Sequence, residues 1–319
     1  MCESSGGPEV MVLKEIADPV PKADEVVIEV VTAGVNRADI LQRQGYYPPP
    51  PGESEILGLE VAGVVVAIGD KVRSRAVGDK VCALLAGGGY AQQVAVPASL
   101  TLPVPANVPL PSAAALPEAL ATVYYNLVEL AAIVRGDRIL IHGGGSGIGT
   151  AAIQIAKAYG AKVACTAGSK AKLQVAESLG ADLLINYHDQ DFVTELKAVG
   201  GADVILDIIG AKYLPRNIDA LKSHGRLLVI GLQGGRKGEI DLARLLMKQG
   251  AVYASSLRAL PLARKARLIA AVERDLWPLV EQGKYQPLID RVLPITQVAD
   301  AHGLLEGGEI TGKVLLSFD

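Results

Sequence analysis

A chain of 319 residues that is 50% apolar and 20% charged has enough material for a large core and two domains, which excludes an intrinsically disordered protein. Lys and Arg total 31 against 34 for Asp and Glu, a net charge of −3 without strong clustering, so charge gives no reason to expect nucleic acid or an anionic membrane as partner. No apolar run approaches the roughly 20 residues of a membrane span, and Cys2, Cys82 and Cys165 form no Cys-x-x-Cys pair, which argues against a disulfide framework or zinc cluster and for a reducing compartment.

Met1 to Ser5 lack the charged and apolar segments of an export signal, so a cytoplasmic protein is expected. Strand-like runs at Glu25–Thr32, Val61–Ile68, Lys80–Leu85 and Tyr90–Val96, broken by Gly, Pro and Asp, predict a β-rich, partly barrelled first domain. Between them lie Asn36-Arg-Ala-Asp39 and the segment Gln44–Gly52. Its four consecutive prolines exclude helix, fix an extended loop and leave Tyr46 and Tyr47 placed to face a cleft.

From Ile139 the texture changes. Ile139–His142 reads as a buried strand, Gly143-Gly-Gly-Ser-Gly-Ile-Gly149 as a glycine turn, and Thr150 onward as a helix. Such a turn lets backbone N–H groups approach a pyrophosphate, while the helix presents unpaired N–H groups and its positive dipole end to the negative charge. The strict G-x-G-x-x-G spacing is absent, so context carries this reading. Strands over Lys162–Thr166, Asp182–Asn186, Asp203–Asp207, Arg226–Ile230 and Ala251–Ser255 alternate with helices over Lys170–Leu179, Asp191–Val199 and Pro215–Leu221, the pattern of a doubly wound parallel α/β sheet. His142, at the strand end before the turn, either touches a cofactor or substrate or is a satisfied structural histidine.

Leu268, Val272, Leu276, Leu279 and Val280 recur at helical spacing and predict an amphipathic helix over Arg264–Glu281, with Arg264, Lys265 and Arg267 on its solvated face. A strand at Arg291–Ile295, a helix from Gln297 to Leu305 and a strand at Lys313–Ser317 then return to the first domain. The expected boundaries are 1–118 with 257–319 for the β-rich domain and 119–256 for the nucleotide-binding domain.

Gly58-Leu-Glu-Val-Ala-Gly63, Gly78-Asp-Lys-Val81, Gly88-Gly-Tyr-Ala91 and Leu140–Gly149 together resemble the medium-chain dehydrogenase/reductase superfamily. Within it, Asn36–Asp39, Gln42–Gly45, Tyr47, the proline run, Thr166–Ser169, Asn186-Tyr187 and Ser256–Arg258 are similar to the zinc-free NADPH:quinone oxidoreductases, close to the stress-inducible quinone reductases and more distantly to the zeta-crystallins. The resemblance spans nearly the whole chain. It implies a GroES-like catalytic domain joined to a Rossmann domain.

By the same resemblance, Asn36 and Leu59 stand where zinc-dependent relatives carry Cys and His ligands. An amide and a leucine do not make the N/S set a catalytic zinc prefers, so no metal is expected. The second nucleotide-domain strand ends Cys165-Thr-Ala-Gly-Ser169 without the acid that selects NAD, which favours NADPH. Ser169 can donate to a 2′-phosphate, Lys172 lies one turn further, and Tyr187 is implied at the adenosine end. The resemblance further implies Gly143, Ser146, Gly147, Ile148, Gly149 and Gly168 in the dinucleotide site. It puts Asn36 and Thr122 at the nicotinamide end, with Gly231, Leu232, Ser256 and Leu257 lining that pocket. Tyr47 either donates a hydrogen bond or proton to the reduced oxygen or shapes the pocket.

The function implied is zinc-independent reduction of a small-molecule quinone by NADPH. The alternatives are reduction of activated alkenes such as enones or enoyl thioesters, and NADPH binding with little turnover. A homodimer through the edge strand 251–255 is implied as well. Two departures stand out: Met1 to Ser5 replace a full first strand, altering the domain edge, and Leu260 occupies a position where a second arginine is common after Arg258.

Overall fold

The computed structural model describes residues 1–318. The chain divides into two compact units, one made of Met1–Ala121 with Arg258–Asp319 and the other of Thr122–Leu257. In chain order the elements are β1 (Glu25–Val35), α1 (Arg37–Arg43), β2 (Glu60–Ile68), β3 (Lys80–Leu84), β4 (Gln93–Pro97), β5 (Thr101–Pro103) and α2 (Pro117–Val123), which runs on into a π-helical segment, Tyr124–Leu130. Then follow β6 (Arg138–His142), α3 (Gly147–Ala158), β7 (Lys162–Ala167), α4 (Lys170–Ser178), β8 (Leu183–Asn186), α5 (Phe192–Ala198), β9 (Ala202–Asp207), α6 (Leu214–Ala220), β10 (Leu221–Val229), α7 (Leu242–Met247) and β11 (Ala251–Ala254). The last elements are α8 (Leu262–Glu281), β12 (Ile289–Pro294), α9 (Val298–Gly307) and β13 (Lys313–Ser317).

In the first unit the sheet order is β12-β13-β1-β2-β3-β5, with β4 also paired to β1. The long β1 is shared: Glu25–Glu29 pair with β4 and Thr32–Val35 with β13, so the final strand does return to this unit. With strands on both sides and a nearly continuous buried pattern, broken at the exposed Glu29, β1 is rich in Val and Ile because most of both its faces is covered. At the amino end, Cys2 and Met11 make one isolated antiparallel bridge and Pro8–Val10 form a 3-10 turn.

The second unit carries a parallel sheet ordered β11-β10-β9-β6-β7-β8. Its core gathers Leu140, Ile185, Phe192, Leu196, Ile205 and Leu227 from strands and helices alike. Among the described residues no helix is long and apolar enough to cross a membrane.

Three local expectations need correction. Tyr90 precedes β4 rather than starting it, because the N–H groups of Gly88, Gly89 and Tyr90 are taken by the carbonyls of Ile56, Gly58 and Leu57. The short helix α1 was not expected; it opens with the Asn36 N–H donating to the Asp39 carboxylate at 2.8 Å, an end-on device that a seven-residue segment needs. Lys265 does not lie on a solvated face. It is only 6% exposed, while Arg264 is half-buried and Arg267 exposed. Residue 265 precedes the buried Leu268, Ile269 and Val272 by three, four and seven positions, so helical geometry turns its stem to the apolar face.

Candidate active site

From β6 the chain of the second unit runs outward through β7 and β8, then crosses to the other side of β6 as β9. The direction of winding reverses between β6 and β9, and ligands of open α/β sheets bind at the carboxyl ends of the strands beside such a point. Here the glycine turn sits. Gly143 and Gly144 both donate to the Thr166 carbonyl, at 3.0 and 2.9 Å, which ties the turn to the end of β7. Gly143 has φ +75°, a left-handed conformation that disfavours any side chain. Ser146 caps α3: its Oγ accepts from the Gly149 N–H at 3.0 Å and donates to the Gly143 carbonyl at 2.8 Å. A Cβ on Gly149 would lie 2.1 Å from the Gly143 oxygen, so only glycine permits this closure. The N–H groups of Gly147 and Ile148, in the first turn, have no acceptor inside the helix and remain for an anion.

The neighbouring strand end carries the rest of a phosphate-binding surface. Ser169 caps α4 by accepting from the Lys172 N–H at 3.3 Å. The Lys172 stem lies against Gly145, where an added Cβ would come within 2.9 Å of its Cγ. Tyr187, just past β8, lies across Gly168: its Oη would be 2.3 Å from a Cβ there, and its ring meets His188 at 4.6 Å. No carboxylate follows β7 before α4, so the donor set suits a nucleotide bearing an extra phosphate. Gly231 and Leu232 follow β10, and Ser256 and Leu257 follow β11, all at the same carboxyl edge. Thr122 is reached through Asn126, whose Nδ2 donates to the Thr122 carbonyl at 2.8 Å and whose Oδ1 accepts from Ser255 Oγ at 2.8 Å.

His142 belongs to the core. Its Nε2–H donates to Asn217 Oδ1 at 2.8 Å, its Nδ1 accepts from the Thr166 hydroxyl at 3.0 Å, and its ring packs edge-on to Phe192 and Tyr213. Burial pushes its pKa down to about 4, so the ring is neutral and structural.

In the first unit Asn36 is buried in a polar cluster that sequence reasoning did not anticipate. Its Nδ2 donates to Glu60 Oε1 at 2.9 Å, and Lys313 Nζ donates to Asn36 Oδ1 at 2.6 Å and to Glu60 Oε1 at 2.5 Å. The second Glu60 oxygen accepts from the Glu118 N–H at 2.9 Å. The signal for this cluster was present as a carboxylate at the head of one apolar strand, Glu60-Val-Ala, and an ammonium at the head of another, Lys313-Val-Leu-Leu. Leu59 is buried, and among the described residues no three His, Cys, Asp or Glu side chains stand where they could hold a metal. The positive charge beside Asn36 is the Lys313 ammonium. Asp39 accepts from the N–H groups of Asn36 and Gly58 at 2.8 and 2.9 Å, and burial raises its pKa to about 6.

Tyr47 is half-buried on the proline loop. The Arg258 guanidinium stands 5.5 Å from its ring centre, and Arg258 Nη1 donates to its carbonyl at 3.2 Å. The expected residues therefore fall into two sets: a nucleotide-side group along one sheet edge of the second unit, and Asn36 and Tyr47, held by separate contacts in the first.

Residues 22–106 match the alcohol dehydrogenase GroES-like domain and residues 147–274 the zinc-binding dehydrogenase domain. The human quinone oxidoreductase is 31% identical over 317 residues, covering 98% of this chain and 94% of that protein. The chain belongs to the quinone oxidoreductase family of medium-chain dehydrogenases/reductases. Among solved structures, this family member is similar to the Escherichia coli quinone oxidoreductase complexed with NADPH, with a TM-score of 0.87 and 30% identity over 99% of this chain and 98% of that one. It is also similar to the CurK enoyl reductase, with a TM-score of 0.88 and 28% identity over 99% and 97%. A Mycobacterium tuberculosis polyketide synthase subunit is 29% identical over 93% of this chain, which spans only 14% of that much longer protein.

Proposed function

We propose that this family member is a zinc-independent, NADPH-dependent quinone reductase. The observation that carries the reading is the pairing of a phosphate-binding sheet edge that lacks an acid after β7 with an Asn36 cluster built on an ammonium and no metal-ligand set. NADPH is the cofactor these residues fit, and when bound it supplies a hydride from its nicotinamide ring. The Gly147 and Ile148 N–H groups hold the pyrophosphate, Ser169 and Lys172 the 2′-phosphate, and Tyr187 the adenosine end. Thr122, Gly231, Leu232, Ser256 and Leu257 would line the nicotinamide pocket. Without a Lewis acid to polarise an alcohol, the acceptor must already hold an electrophilic centre, as a quinone does. Tyr47 is the hydrogen-bond or proton donor to the reduced oxygen.

The second unit is thus the nucleotide domain and the first the acceptor domain. The edge strand β11, with Val252 and Tyr253 each 37% exposed, supports a homodimer formed there. A second reading, reduction of activated alkenes, is favoured by the similarity to the CurK enoyl reductase. Steady-state NADPH oxidation across ortho- and para-quinones, beside enones and an enoyl thioester, separates the two. Turnover of the alkenes with inert quinones would replace the first reading by the second, and tight NADPH binding without any acceptor turnover would refute both.

A further inference from the structure

Arg258 and Lys265, both in the first unit, are each only 6% exposed. The Arg258 fork is partly used: Nε donates to the Ala86 carbonyl at 2.7 Å and Nη1 to the Tyr47 carbonyl, both neutral acceptors. Its Nη2 is buried and has no hydrogen-bond partner. The Lys265 ammonium has no ion pair or hydrogen bond among the described residues, and neither does Arg258 meet a carboxylate. A buried guanidinium N–H without an acceptor is an expensive arrangement, since a desolvated charged donor normally finds a partner, whereas the Lys265 ammonium, on a buried stem, keeps contact with solvent.

The charges that face them are few. For Lys265, burial is the largest influence and lowers its pKa; Glu53 opposes that, and the Arg258 charge adds to it. For Arg258, burial again lowers the pKa first, opposed by Tyr47, Asp39 and Glu53. Asp39 is already engaged by the Asn36 and Gly58 N–H groups, and Glu53 is exposed on the proline loop. The neighbourhood therefore carries excess positive charge, a free planar N–H and a tyrosine that the same guanidinium holds.

We propose that Arg258 and Lys265 form a binding site for an oxyanion, a carboxylate or phosphate, borne by the acceptor substrate and seated beside Tyr47. An oxyanion there accepts from Nη2 and the ammonium, and charge-assisted bonds of this kind are the strong ones. The location beside Tyr47 rests on the quinone-reductase reading; the anion site itself does not. Guanidinium and ammonium divide the work: the fork orients a planar group, and the lysine supplies charge.

The test has two arms. Calorimetric titration of inorganic phosphate into the NADPH-saturated protein, with the nucleotide site filled, reads the site without turnover. Phosphate binds the parent and loses at least about tenfold in affinity in Lys265→Met, which keeps the helix stem and removes only the charge. Arg258→Lys, which retains a charge but not the fork, weakens it as well. In the second arm, a naphthoquinone with a side-chain carboxylate has a KM at least about tenfold below its neutral methyl ester, and in Lys265→Met the ratio of the two falls toward one. Phosphate competes with the acid and not the ester. Phosphate binding without any advantage for the carboxylated quinone would keep the oxyanion site but make its ligand a free anion, overturning the substrate-borne part. Absence of phosphate binding, or binding equal in parent and Lys265→Met, overturns the site while leaving quinone turnover untouched; binding with no quinone turnover keeps the site and refutes the quinone reading.

Discussion

Replacing Lys313 by Met tests the cluster around Asn36 most directly. The Lys313 and Glu60 side chains are 5% and 0% exposed, and the ammonium touches both Glu60 Oε1 and Asn36 Oδ1. Met fills the space of the stem but leaves the Glu60 carboxylate buried with only the Asn36 amide and the Glu118 N–H to stabilise it. Removing one partner from a buried pair costs about 3–5 kcal/mol, mostly from the orphaned charge. For a domain of roughly 150–250 residues, each kcal/mol shifts Tm by about 2–4 °C, so Lys313→Met should lower Tm by roughly 6–20 °C in scanning calorimetry. If the orphaned carboxylate is the cause, Lys313→Met combined with Glu60→Gln recovers more than half of the loss, because a neutral amide keeps the hydrogen bonds without the buried charge. A Tm shift below about 2 °C for the single variant, or a double variant no more stable than the single one, would show that the cluster does not hold this unit together.

Truncating Lys172 to Ala should weaken NADPH about ten- to hundredfold, the worth of one charge-assisted hydrogen bond, and leave NADH nearly unchanged in fluorescence titrations; equal loss for both would make the lysine a support of the glycine turn instead. Tyr47→Phe should lower kcat with NADPH affinity preserved, by about 10²–10⁴-fold if the phenol is a general acid and by less than about tenfold if it gives one neutral hydrogen bond, whereas parity with the parent across several quinones would make Tyr47 a pocket wall. Chelators should leave turnover intact, and a stoichiometric zinc whose removal and return switched activity off and on would sink the metal-free proposal. Burial raises Asp39 and Asp207 to about 6 and lowers His142 and His302 to about 4 and 3. Between pH 4 and 6 the folded chain keeps carboxyl protons that the unfolded chain has shed, so these acids make stability fall as pH rises. The histidines bind protons there only when unfolded, so they make it rise, and the two pairs offset. Urea unfolding should therefore give a slope below about 1.4 kcal/mol per pH unit in that window, and Asp207→Asn should tilt it upward with pH; a steeper downward slope in that variant would contradict the assignment.

The nucleotide half was legible from sequence because its chemistry is local. Strand, glycine turn and capped helix occupy Arg138–Ala158 without interruption, and the missing acid after β7 lies within a few residues of the strand that defines its place. Periodicity likewise located the strands of the parallel sheet, since each alternates with a helix over a short span. The polar cluster was another matter: Lys313 is 277 residues from Asn36 and 253 from Glu60, and only the antiparallel pairing of β13 with β1 and of β1 with β2 brings them together. His142 next to a glycine turn is open to two readings in the sequence, and Asn217, 75 residues on, decides for the structural one by holding its far nitrogen. Lys265 failed for a related reason. Its charge suggested solvent, but its position on α8 put it on the stripe of Leu268 and Val272, and what covers that stripe is decided by the sheet and loops of the first unit. Local hydrogen bonding and side-chain period are encoded in neighbouring residues; which charges are buried, and against what, depends on contacts between segments that only the folded chain makes adjacent.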